Sequence, residues 1–154
     1  MTALVDCIRR ARERGDLDAL VEAIPYARFM GISMRADGDR ITGTLAASDH
    51  LIGNASLGNL HGGATGALLE STAIFQLLWR VEIVNIPKTI NITLEYLRSG
   101  KRRDTHARAE FTRLGRRVAN LRAIAWQEDP DRPIAAATAH FLLGGDEDHE
   151  SAQR

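Results

Sequence analysis

The chain has 154 residues, 20 basic and 20 acidic side chains, and a formal net charge of zero. A domain of this length can bury a real core, and a neutral balance gives no electrostatic case for nucleic acid or an anionic membrane. One cysteine, Cys7, excludes an internal disulfide, and no stretch reaches 18 consecutive apolar residues, so a soluble, cytoplasmic protein is expected.

Residues 3–24 carry apolar groups at 4, 5 and 8, then at 17, 20, 21 and 24, which is helical spacing broken at Gly15–Asp16. Asp16 is placed to cap the second piece and Pro25 to end it. This stretch, 1–24, is read as a helical extension that packs on the main domain. Strands are expected at residues 29–35 and 40–46, joined around Asp37-Gly38, a hairpin signal. Residues 47–60 are small and polar and read as a loop leading to a helix.

The segment LHGGATGALLESTAIFQLLWR, residues 60–80, is the most informative. After Gly63 its strongly polar side chains are Glu70, Gln76 and Arg80 only. A helix apolar round its circumference is normally buried, and a buried unpaired carboxylate is costly unless it takes up a proton. Glu70 is therefore a candidate acid or base. His61 precedes it by nine residues, about 13.5 Å of helical rise and half a turn of rotation. The two side chains cannot meet within one helix, so a site containing both requires two copies of the segment, most simply about a two-fold axis. Gly62 and Gly63 offer unpaired N–H groups at the helix start, where negative charge, including a developing oxyanion, is stabilised. The competing reading is a tight turn into a core helix whose Glu70 pairs with a buried arginine.

Beyond the helix, Pro87 breaks the pattern. Ile90, Ile92, Leu94 and Tyr96 alternate with polar residues, as do Thr105, Ala107, Ala109 and Phe111. Gly115 marks a turn before a strand at 117–127, Pro130 and Pro133 bracket another, and 134–143 forms the last strand. The tail 145–154 is acidic and polar and reads as disordered. Two strands, one helix and four strands make an α+β chain in which an antiparallel sheet can wrap a buried helix.

The stretch GNASLGNLHGGATGALLE (53–70) resembles the signature of the hot-dog-fold thioesterases, in particular the group similar to the phenylacetic-acid-pathway acyl-CoA thioesterases. That signature is an Asn or Gln, then His-Gly-Gly, then an acid nine residues after the His, matched here by Asn54, His61, Gly62, Gly63 and Glu70. Some branches place the amide one residue nearer the His, where this chain has Ala55. Branches with Glu at the acid often carry Ser or Thr four residues later, where this chain has Ile74. Branches with Asp use a hydroxyl on the next strand, which Thr89 matches. The resemblance spans about 25–143 and implies a hot-dog domain over 25–144 in a homodimer or dimer of dimers.

It also implies hydrolysis of an acyl-CoA. Gly63, with Gly62, would donate to the carbonyl oxygen, and Asn54 and His61 would orient the thioester. Glu70 of the other subunit would attack directly or activate a water held by Thr89. No cofactor or metal is implied, since coenzyme A is part of the substrate and His50, His106, His140 and His149 show no ligand spacing. The cations of RSGKRR (98–103) and RLGRR (113–117), with Arg102, Arg103, Arg116 and Arg117 foremost, are candidates for its phosphates. The same fold also serves enoyl-thioester hydratases, and a non-catalytic acyl-CoA sensor is a further alternative.

Overall fold

The computed structural model describes residues 3–82 and 86–144; the tail expected to be disordered lies outside them. The order is α1 (Ala3–Arg14), α2 (Asp18–Glu22), α3 (Pro25–Met30), β1 (Ile32–Asp37), β2 (Arg40–Leu45), a 3-10 turn (Asp49–Leu51), β3 (Ile52–Asn54), β4 (Asn59–Leu60), α4 (Gly62–Arg80), β5 (Lys88–Tyr96), β6 (Thr105–Leu114), β7 (Val118–Trp126) and β8 (Ala135–Leu142). Six strands form one sheet, ordered β1-β2-β6-β7-β8-β5, with every neighbour antiparallel. The long helix α4 packs across β2, β6, β7 and β8. This is the hot-dog arrangement.

Small residues let the helix lie close to the sheet. Across four strands, Gly43, Ala107, Ala125 and Ala135 stand in register, and Ala109, Ala123 and Ala137 form the next row. Leu68, Leu69, Phe75 and Leu77 of α4 are buried above them. Burial of this kind contributes about 1.5–3 kcal/mol per large side chain. The C-terminal half of α4 is pinned to the β1–β2 hairpin. Gln76 Oε1 accepts the Ile41 N–H at 2.8 Å, its Nε2 donates to the Asp39 carbonyl at 2.8 Å, and Trp79 Nε1 donates to the Gly38 carbonyl at 2.9 Å.

The leader packs on the domain as expected. Ile8, Ala11, Leu17, Leu20 and Val21 join the core, and Arg12 donates to the Val81 carbonyl at 3.3 Å, closing the C-terminal end of α4. The N-cap of α2 is Leu17, without a side-chain cap, and Asp16 one residue earlier accepts the Asp18 N–H at 2.9 Å. Pro25 departs from expectation. It opens α3 at the first helical position, where its missing N–H costs nothing, and Phe29 and Met30 are helical rather than extended. The helix stops at Gly31, in the left-handed conformation, and β1 begins only at Ile32. The loop 47–60 also holds more order than expected, in its 3-10 turn and the short β3–β4 hairpin.

The strand β5 holds the most consequential difference. It pairs with β8 on one side and has no strand on the other among the described residues. Thr89 opposes Phe141 and Asn91 opposes His140, so Ile90 is an extra residue, a bulge. Simple alternation would set Ile90 inward beside Ile92. The bulge instead turns Thr89 to the inner face with buried Phe141 and leaves Ile90 53% exposed.

Candidate active site

The N-terminal end of α4 is wired through backbone and side chain together. His61 is the N-cap residue, and its Nδ1 accepts the Gly63 N–H at 2.9 Å. An accepting Nδ1 carries no proton, so in the neutral ring the hydrogen resides on Nε2 and points away from the helix as a donor. The Ala64 N–H is taken by the His61 carbonyl at 2.9 Å. The Gly62 N–H has no hydrogen-bond partner among the described residues. Tyr96, at the end of β5, donates its hydroxyl to the Gly62 carbonyl at 2.9 Å. The peptide between Gly62 and Gly63 is thus held at both its oxygen and its N–H.

This differs from the sequence expectation in one respect. The resemblance makes Gly63 the main donor to a carbonyl, yet its N–H is engaged by His61, and the donor left without a partner among the described residues is Gly62. A side chain at either glycine would press on a residue of the site. A Cβ at Gly62 would lie 3.1 Å from the Tyr96 ring and hydroxyl, and one at Gly63 would lie 3.0 Å from His61 Nδ1. Beside this end opens a hollow of roughly 450 Å³, lined by Asn59, Leu60, Gly62, Thr65 and Tyr96 among others.

Glu70 sits two and a half turns further along α4. It is half-buried, not enclosed, because α4 is not covered all round: Gly63, Ala67, Glu70, Ser71 and Ile74 lie on a partly open stripe. Gln76, by contrast, is deeply buried at 4% exposed, with its amide oxygen and nitrogen each hydrogen-bonded. Glu70 has no arginine partner among the described residues, so the competing reading of a buried ion pair fails. Thr89 donates its hydroxyl to Glu70 Oε1 at 2.9 Å. The structure therefore brings Glu70 and Thr89 together, and His61 with Gly62 and Gly63, but keeps the two groups apart within one chain.

The other candidates are scattered. Asn54 is exposed in the β3–β4 hairpin, where its Oδ1 accepts the Leu57 N–H at 3.1 Å, and no hydrogen bond joins it to His61. Arg102 pairs with Asp49 and Arg103 with Glu128 at the surface. Arg116 and Arg117 lie in the β6–β7 turn, with no carboxylate partner among the described residues. That turn adjoins Leu142 and Lys88, so it is at the opposite end of the sheet from Tyr96 and Gly62. Among the described residues no three His, Cys, Asp or Glu side chains converge as metal ligands would. Sequence reasoning missed Tyr96, which periodicity presents only as the last apolar position of a strand.

The thioesterase superfamily model matches residues 57–134, from the β3–β4 turn to the threshold of β8, a span that holds His61, Gly62, Glu70, Thr89 and Tyr96. The chain belongs to the thioesterase superfamily. Among solved structures of similar fold, a protein of Chromobacterium violaceum is 35% identical, with a TM-score of 0.75 over 91% of this chain and 98% of that one. A phenylacetic acid degradation-related protein of Ralstonia eutropha is 25% identical, with a TM-score of 0.73 over 89% of this chain and 99% of that one. A thioesterase of Haemophilus influenzae shares the fold, with a TM-score of 0.77 at 21% identity over 87% of this chain and 94% of that one. No protein of the curated set matches the chain. No helix among the described residues is long and apolar enough to cross a membrane.

Proposed function

We propose that the protein hydrolyses acyl thioesters of coenzyme A, at a site shared between two copies of the chain. The observation that carries this reading is the division of α4. Its start presents a free Gly62 N–H and a His61 Nε2–H, and a carboxylate with a hydroxyl on it lies too far along the same helix to reach them. Two facts support a second copy as the complement: among the described residues β5 offers a nine-residue edge with no strand on it, and the stripe through Ala67, Glu70 and Ile74 is partly uncovered. Edge strands of that length are templates for pairing. Two-fold antiparallel pairing through β5 sets the Tyr96 end of one chain beside the Thr89 end of the other.

In such a pair the thioester carbonyl oxygen accepts from the Gly62 N–H and from His61 Nε2–H, donors fixed before the reaction and aimed where charge develops. A water held by Thr89 and Glu70 of the partner subunit attacks the carbonyl carbon while the Glu70 carboxylate takes its proton. Collapse of the tetrahedral intermediate breaks the carbon–sulfur bond, and the carboxyl returns the proton to the thiolate. Direct attack by the carboxylate, through an anhydride then opened by water, uses the same groups. Free amide hydrogens leave Asn54 able to hold the substrate arm. The reaction needs no group beyond these residues and water.

The test is thiol release, followed with a thiol reagent across straight-chain, branched and aromatic acyl-CoA esters, with the free acid confirmed by mass. Release with stoichiometric acid is expected for at least one class. Hydration of an enoyl ester without thiol release would replace hydrolysis with the hydratase alternative, and binding without turnover would leave a sensor.

A further inference from the structure

The hollow at the start of α4 continues into a second one of roughly 220 Å³, and the two share Arg98, Ser99 and Ile134 on their common wall. The second hollow is cationic. Arg98, Lys101, Arg103 and Arg132 line it against the carboxylates Glu128 and Asp129. Glu128 is taken by Arg103, and Asp129 accepts the Asp131 N–H at 2.9 Å within its own turn. The other three cations have only neutral partners or none among the described residues. Arg98 donates to the Pro133 carbonyl at 2.8 Å, Lys101 Nζ donates to Asn59 Oδ1 at 2.7 Å, and Arg132 makes no side-chain bond. The carbonyl and amide partners fix the first two heads in place without cancelling their charge. Lys101 is doubly fixed, since its backbone N–H donates to Gln127 Oε1 at 2.9 Å and its carbonyl accepts from Gln127 Nε2 at 2.7 Å.

We infer that this second hollow binds the phosphate groups of coenzyme A, with Arg98, Lys101 and Arg132 as the contacts, while the acyl thioester occupies the first hollow. The inference rests on the thioester-hydrolase reading and adds the location of the substrate's nucleotide end. Fixed guanidinium forks and an ammonium suit phosphate oxygens, and a neutral chain with a local excess of cations beside its reaction cleft concentrates an anionic substrate there. The site is distinct from Arg102, which pairs with Asp49, and from the Arg116–Arg117 turn, which within one chain lies at the other end of the sheet.

The experiment compares one acyl group carried on coenzyme A and on pantetheine, which lacks the nucleotide and its phosphates. Lys101→Met with Arg132→Glu should raise the Michaelis constant for the coenzyme A ester about tenfold, the scale of losing charge-assisted bonds, and leave the pantetheine ester unchanged. Arg116→Ala with Arg117→Ala should leave the ratio of the two constants as in wild type. Both altered positions are exposed, so the fold is expected to persist, and an unchanged pantetheine constant is the internal check. Equal effects on both esters, or a ratio that moves with Arg116 and Arg117 alone, would overturn the inference. Calorimetry with free coenzyme A separates the two readings. Binding that the double variant abolishes in a protein without turnover supports the phosphate site and rejects the hydrolase. Turnover of both esters with coenzyme A binding unchanged in the variant does the reverse.

Discussion

The start of α4 and its middle are built on opposite plans. At the start, His61, Gly62, Gly63 and Tyr96 complete one another within the chain: a ring nitrogen takes one N–H, a phenol takes one carbonyl, and a single N–H is left over. In the middle, Glu70 holds one hydroxyl and otherwise faces a partly open stripe beside an unpaired strand. In the proposed reaction, rigid donors are completed within one chain, while the attacking group comes from the other. Preorganised donors lose their advantage if they must reorient.

The sharpest way to break this comparison is at the carboxylate. Glu70→Gln should lower turnover by about 10²–10⁴-fold while substrate binding survives, the scale for removing an acid–base group. Its thermal midpoint should not fall, because Glu70 is half-buried and the amide can still accept from Thr89. Turnover within a few-fold of wild type would remove Glu70 from the chemistry.

Mixing Glu70→Ala and His61→Ala chains under subunit exchange tests whether the two plans belong to two chains. Each mixed dimer has one site with both lesions and one with neither. Random pairing makes half the dimers mixed, so about a quarter of wild-type activity should return. No recovery, with mixed dimers demonstrated by mass, would place the whole site in one chain.

Smaller changes sharpen the contrast. Thr89→Val should cost about tenfold in kcat and Thr89→Ser much less, since only the hydroxyl reaches Glu70. Tyr96→Phe should cost about fivefold in kcat with the Michaelis constant little changed, by freeing the Gly62 carbonyl and so loosening the one unpaired donor. A Tyr96→Phe enzyme weakened chiefly in binding would make Tyr96 a wall of the hollow, not a brace.

Much of this was legible in the chain. His-Gly-Gly before an apolar run announces a helix start, a period of two announces β6, and the turns at Gly115 and at Pro130 and Pro133 bound β7 and β8 to within a residue or two. Three features resisted. Pro25 is a stop for one helix and a start for the next, and only the packing of Ala27 and Met30 decides between them. The bulge at Ile90 leaves no local mark, because an isoleucine satisfies strict alternation as well as it satisfies a bulge; Thr89 entered through family resemblance alone. Glu70 was read as enclosed because Ala67 and Ile74, small or apolar, look like core residues whether they face their own sheet or a partly open stripe.

The strand order also governs when the site can come into being. β1 and β2 form a local hairpin, as do β6 with β7, but β5 has only β8 as its neighbour, with Thr89 set opposite Phe141. Pairings so far apart in the chain form late, after their loop-closure cost has been met. During synthesis, β5 has no strand to pair with until β8, which ends at Leu142, has left the ribosome. The hydroxyl that holds Glu70 is therefore among the last groups to be seated, and the edge through which two copies would join is not flat and ordered before then. A nascent chain thus holds all of α4, Glu70 included, before the strand that brings Thr89 to it is paired.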